Sequence, residues 1–190
     1  MAGGRAGSGG ASGGGGASGG GGGTSGSGGK ASGGSGGNGG GGGSVAVQTC
    51  AKNPLTARAS WVVTASASGN GAPTSNAHDG NVATRWTTGV EQVGGEWLQL
   101  DFGATVTLTK LTLLLGTSVD DYPRKYATRF SNSSMNMAAA ILVSGMGAKG
   151  SDTVLTFPAG TTGRYLLVSQ SGQAPALWWS VAEIQAVCAD

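Results

Sequence analysis

The chain is poor in the residues from which reactive sites are built. Its 190 residues include one histidine, His78, and two cysteines, Cys50 and Cys188. One imidazole and two thiols are too few for a structural zinc site. Residues 45–190 contain no GxSxG elbow, no HExxH and no phosphate-cradling P-loop, so the standard nucleophilic, zinc and nucleotide chemistries lack their parts. Carboxylates for glycoside hydrolysis could be drawn from Glu91, Glu96, Asp120 or Asp121, but no spacing singles out a pair. An enzyme is therefore not expected. Charge is equally scarce, at 11% of residues. No apolar run is long enough to span a membrane, and no segment has the pattern of a long amphipathic helix.

What is abundant is glycine, and it is unevenly placed: 26 of the 40 glycines fall in residues 1–44. That segment is otherwise mostly Ser, Ala and Thr. It has almost nothing to bury against a backbone ordering cost of roughly 1–2 kcal/mol per residue, so it is expected to be a disordered linker. As a flexible coil it would reach on the order of 35–40 Å. It also carries Arg5 and Lys30, which account for the whole formal net charge of +2. Residues 45–190 are formally neutral, which argues against nucleic acid and against a polybasic membrane anchor. No apolar signal-type stretch follows Met1. The true start is expected upstream, or the chain is a fragment.

Residues 45–190 are long enough for one domain with a sizeable core. Cys50 and Cys188 stand near its two ends, and a terminus-to-terminus disulfide is the preferred reading, with two buried free thiols as the alternative. Closing so long a loop could contribute about 5 kcal/mol in the chain-entropy model. A disulfide implies an oxidising compartment and hence a secreted or surface protein.

The periodicities along this domain are those of strands. WLQLDF (97–102) and TVTLTKLTLLL (105–115) alternate apolar and polar residues, and RYLLVSQ (164–170) is short and β-rich. KYATRFS (125–131), AAAILVS (138–144) and DTVLTF (152–157) are further candidates, although AAAILVS could instead form a short helix. VAEIQAVC (181–188) alternates and would return Cys188 beside the first strand. Many short strands between turn signals predict an all-β sandwich or jelly roll.

The segment with most chemical content is NAHDGNVATRW (76–86). Asp79, Asn81 and Thr84 place three oxygen-bearing side chains within six residues, and Gly80 permits the turn that lets them converge. Hard oxygen donors of this kind suit calcium, but EF-hand spacing is absent. A hydrogen-bonded Asx-turn without metal accounts for the same spacing.

NAHDGNVATRWTTG, GEWLQLDFG (95–103), DYPRKY (121–126) and WWSVAEIQ (178–185), in that order, resemble the discoidin, or coagulation-factor C-type, domain. More narrowly they resemble bacterial family 32 carbohydrate-binding modules and the galactose-binding-like domain of galactose oxidase. The resemblance covers about residues 56–187 and implies a β-sandwich jelly roll. It also implies a structural calcium held by the Asn76 carbonyl, Asp79, Asn81, Thr84, the Ala182 carbonyl and Glu183, tying an early loop to the last strand. Relatives bind galactose and other sugars, phospholipid headgroups or proteins through loops at one end. The corresponding loops here are Thr87 to Gln92 and Asp120 to Arg124, with Trp178 at the rim. Asp121, Tyr122, Arg124 and Trp178 are chemically apt for a pyranose, which needs an aromatic face and fork-like polar groups.

Other features read as structural. Trp61, Trp86, Trp97 and Trp179 are expected to pack in the core, and His78 to be a partly buried loop residue. Tyr122-Pro123 could simply set a turn, and Arg124 could pair with Asp120 or Asp121. Galactose-binding relatives often carry His after the TxW motif, where this chain has Thr87. The SNSSMNM stretch (131–137) lacks the usual turn aspartate, glycine and tryptophan, and Met135 or Met137 is expected to fill the gap. The loops present few large apolar residues, which disfavours a membrane partner. The sum is a non-catalytic, calcium-stabilised carbohydrate-binding module on a flexible tether, the alternative being a protein-binding adhesion module with a cell-surface partner.

Overall fold

The computed structural model describes residues 58–189. The linker assigned to residues 1–44, and Cys50, lie outside the described residues. Nine strands follow in chain order: β1 (Val62–Ala65), β2 (Trp86–Thr87), β3 (Trp97–Leu114), β4 (Tyr126–Ser131), β5 (Val143–Gly145), β6 (Thr153–Thr156), β7 (Thr162–Gln170), β8 (Ser180–Val181) and β9 (Glu183–Cys188). Helical structure among the described residues is confined to two 3-10 turns, Arg58–Ser60 and Thr74–Ala77. The domain is an all-β sandwich, as the periodicity predicts.

β3 organises the sandwich. WLQLDF and TVTLTKLTLLL, read as two strands, form one strand of 18 residues. Its first part lies in the sheet ordered β1-β3-β7-β4-β5, and its second part runs between β6 and β9. The register on β7 slips between Asp101 and Val106, and that on β9 slips between Leu108 and Lys110. The second slip accounts for the burial pattern. Val106 and Leu108 face inward, Thr109 and Lys110 do not, and Leu111 and Leu113 resume one residue out of phase. The bulges let one strand bend from one sheet into the other without exposing its apolar face.

The core is aliphatic with an aromatic row. Trp61 packs edge-on against Phe102 (5.4 Å between centroids), and Phe102 against Phe130 (5.9 Å). Leu98, Leu100, Leu108, Leu155 and Ile184 fill the space between the sheets, each worth roughly 1.5–3 kcal/mol in transfer free energy.

Four expectations are corrected. Only Val143 and Ser144 of AAAILVS enter a strand, while 138–142 is loop, because β5 pairs with β4 only through Tyr126–Thr128. Trp97 begins β3 half-buried, outside the core cluster. Met135 and Met137 do not fill the gap left in SNSSMNM, since both side chains are exposed. The stretch is instead held by Gln99, a buried strand residue whose Oε1 accepts from the Met135 backbone N–H at 2.5 Å and whose Nε2 donates to Ser134 Oγ at 3.2 Å. β9 is registered on β3, with Cys188 opposite Leu108, rather than on the first strand.

Candidate functional site

Two short strands anchor the loops at one end of the sandwich. β2 pairs with β8, placing Trp86 opposite Val181 and Thr87 opposite Ser180. Behind that pair, Trp86 and Trp179 are both fully buried, with ring centroids 5.1 Å apart and planes at 81°. Trp86 Nε1 donates to the Ala67 carbonyl at 3.1 Å, and Trp86 and Trp179 pack as expected. Where the chain leaves β2, the Gly69 and Gly89 backbones touch. Gly89 has φ +66°, and a Cβ there would lie 2.4 Å from Gly69 Cα. Only glycine allows both the left-handed turn and the close approach.

With Trp179 locked inside, its neighbour Trp178 is turned outward and is 41% exposed. It lines an open cleft of about 370 Å³, shared with Asn70, Asn76, Thr84, Arg85 and Thr87. An aromatic surface, a guanidinium and a carboxamide at one mouth form a donor set suited to a polyhydroxylated ligand.

The other three residues assigned to a sugar site do not line this cleft. Arg124 stacks its guanidinium over the Tyr122 ring at 3.6 Å and donates through Nη2 to the Asp120 carbonyl at 2.9 Å. Arg124 therefore meets the Asp120 main chain, while the Asp120 carboxylate pairs with Lys149 at 2.8 Å. Asp121 Oδ2 accepts from Ser180 Oγ at 2.7 Å, and its carbonyl accepts from the Ser180 N–H at 2.9 Å. Asp121 thus joins its loop to β8.

The residue that gathers these loops is Gln92, which sequence reading passed over as the end of a loop. Its Nε2 donates to the carbonyls of Tyr122 (3.1 Å) and Trp178 (2.6 Å). Its Oε1 accepts from Gln170 Nε2 (2.7 Å) and from the Arg124 N–H (3.3 Å). Its backbone pairs with Leu177 and Ala174. Glu96 completes the network by accepting from the Val93 and Gly94 N–H groups at 2.7 and 3.0 Å. A buried polar network of this kind is stabilising only when its members are satisfied, so it fixes loop positions rather than tolerating alternatives. The only available signal was a Gln in a polar stretch, which cannot reveal burial.

The loop read as a cation cage is drawn together by hydrogen bonds of its own. Asp79 Oδ1 accepts from the Asn81 N–H at 2.8 Å, and Asp79 Oδ2 from Thr84 Oγ1 at 2.7 Å. Asn81 Oδ1 accepts from the Ala83 N–H at 3.0 Å, and Gly80 supplies φ +83°. These are Asx-turn contacts, the alternative the spacing left open. Asn76, in the turn Thr74–Ala77, donates through Nδ2 to the Arg85 carbonyl at 3.0 Å. Ala182 lies between β8 and β9, its N–H donating to the Leu114 carbonyl at 2.8 Å.

Glu183 is different. Its Oε2 accepts from the Gly80 N–H at 2.8 Å, while Oε1 lies 2.8 Å from Arg58 Nη1. Both side chains of that ion pair are almost wholly buried, at 4% and 1% exposure. Burial pushes the Glu183 carboxyl up, against the pull of Arg58. Of the two oxygens of this carboxylate, Oε2 is hydrogen-bonded to the Gly80 N–H, whereas Oε1 is in ion-pair contact with the guanidinium and accepts no hydrogen bond. His78 is a half-buried loop residue, as expected, and burial lowers its pKa.

The sequence and fold agree with known proteins. The family model for the F5/8 type C domain matches residues 56–184. No curated protein matches the chain. Among solved structures, the family 32 carbohydrate-binding module of Clostridium perfringens NanJ, in complex with galactose, is 18% identical, with TM-score 0.60 over 68% of this chain and 95% of that one. Another Clostridium perfringens family 32 module, in complex with GalNAc-β-1,3-galactose, is 20% identical, with TM-score 0.60 over 69% and 97%. Chitosan-binding module 1 from the chitosanase/glucanase of Paenibacillus sp. IK-5 is 24% identical, with TM-score 0.57 over 70% and 97%. At these identities the likeness carries the fold, whereas the family match spans most of the chain. By that match, and by the sandwich it encodes, this chain belongs to the F5/8 type C domain family.

Proposed function

We propose that this chain is a non-catalytic carbohydrate-binding module. The single observation that carries this reading is Trp178, an exposed tryptophan lining a cleft that also presents Arg85, Asn70 and Thr87. The C–H face of a pyranose packs on the indole, and the guanidinium and carboxamide bond to its hydroxyls. Tyr122 and Arg124 on the adjoining loop provide a second contact for a longer glycan, and Asp121 holds that loop to β8. The bound sugars of the two clostridial modules and the chitosan-binding name of the third support the ligand class. The protein is exported, with Cys188 at the end of β9 bridged to Cys50. Intact mass before and after reduction and alkylation checks that bridge.

The test is a glycan-array screen of the full chain, followed by titration of any hit against Trp178→Ala. Saturable binding that free monosaccharide competes away, and that Trp178→Ala abolishes, is the expected result. Binding to no glycan would overturn the proposal in favour of a protein-binding adhesion module. Binding that survives Trp178→Ala would place the sugar elsewhere on the domain.

A further inference from the structure

We infer that Arg58 is an internal cation. It supplies the positive charge that ties the Asp79–Gly80–Asn81 turn to the start of β9, and the domain stands without a bound metal at that place. Arg58 opens the 3-10 turn Arg58–Ser60, immediately before β1. Its Nη1 lies 2.8 Å from Glu183 Oε1, and the same carboxylate accepts from the Gly80 N–H through Oε2. One carboxylate thereby joins three segments that are far apart in sequence: the turn before β1, the turn at Gly80 and strand β9.

A divalent ion at this position would perform the same cross-linking, but it would have to share Glu183 with a fixed guanidinium. Like charges within one carboxylate's reach repel, and in a buried setting solvent screens that repulsion little. The loop side of the site also satisfies itself. Asp79 holds the Asn81 N–H and the Thr84 hydroxyl, so its carboxylate is not left unpartnered. Arginine is suited to such a role because its charge is not removed by burial, and here it meets the carboxylate through one arm, Nη1, as an ion pair.

The arrangement predicts a specific energetic signature. Removing one member of a buried ion pair strands the other charge, whereas removing both is often close to neutral. Thermal melts of the full chain would be recorded in calcium and in EDTA for the wild type, Arg58→Met, Glu183→Gln and the double variant. Calcium titration calorimetry of the wild type gives a second readout that depends on no variant.

The wild-type Tm is expected to be the same in calcium and EDTA, with no saturable calcium heat. Arg58→Met is expected to lower Tm by roughly 10 °C or more. The double variant should regain a large part of that loss. A wild-type Tm that rises saturably with calcium, or a stoichiometric calcium isotherm, would overturn the inference in favour of a structural metal. Additive effects of the two substitutions would overturn it equally, because they would mean that Arg58 and Glu183 do not act as a pair.

Discussion

Gln92 Oε1 accepts a 2.7 Å hydrogen bond from Gln170 Nε2, between two residues that are essentially inaccessible to solvent. Gln170 ends β7 in the sandwich, and Gln92 lies in the loop that follows β2, so this contact couples the rigid scaffold to the ligand end. From the same Gln92 side chain, bonds run on to the carbonyls of Tyr122 and Trp178.

The first prediction concerns that coupling. Gln92→Leu keeps the volume but leaves Gln170 Nε2 and two loop carbonyls short of a partner, at a cost of about 1–3 kcal/mol for each group that water cannot reach. Tm should fall. Glycan affinity should fall further than in a surface variant of equal stability, because Trp178 loses its anchor. Melts paired with titration of an array hit separate the two effects. Unchanged affinity would show that Trp178 is held by other contacts.

Neighbouring tryptophans should behave in opposite ways. Trp179 is fully buried against Trp86, and Trp179→Ala should cost about 3–5 kcal/mol. Trp178→Ala should change stability by no more than about 0.5 kcal/mol, as surface substitutions commonly do, while removing sugar binding. Urea denaturation of both variants reads the difference directly.

Two glycines with positive φ are predicted to differ in tolerance. Gly80 has φ +83° and open space where a Cβ would stand, so Gly80→Ala should cost only the left-handed strain of about 1–2 kcal/mol. Gly89→Ala adds a contact of 2.4 Å to the Gly69 backbone and should be the more damaging substitution. Equal melting temperatures for the two would contradict the close approach of these segments.

An acid limb is also expected. Arg164 donates to both Asp101 oxygens, at 2.7 and 2.9 Å, and holds the Asp101 carboxyl below the usual carboxylate range. A folded-state pKa lower than the unfolded one contributes stability that is present above about pH 4 and is lost as pH falls through the folded value. Wild-type Tm should therefore drop on acidification through that window. Asp101→Asn should be less stable at neutral pH and show a shallower acid limb. The pair is partly exposed, so the contribution is modest and should shrink at high salt.

The sequence by itself determined the all-β class and the sandwich, because two-residue alternation between turn residues is a local consequence of backbone geometry, and its four ordered motifs carried the resemblance to the family. It also marked Trp86 and Trp179 as core and His78 as a loop residue. Only the tertiary structure decided that one strand of 18 residues serves two sheets, since a bulge shifts register without any signature beyond one skipped position in the pattern. It alone set Gln92, Gln99 and Gln170 in the interior, where their amides are satisfied by partners distant in sequence. It likewise gathered the Tyr122 and Trp178 main chains onto the Gln92 amide, and brought Arg58 against Glu183. Each of these contacts joins segments that meet only when the chain has folded, and polarity read along one dimension cannot tell a buried, fully bonded side chain from one in water.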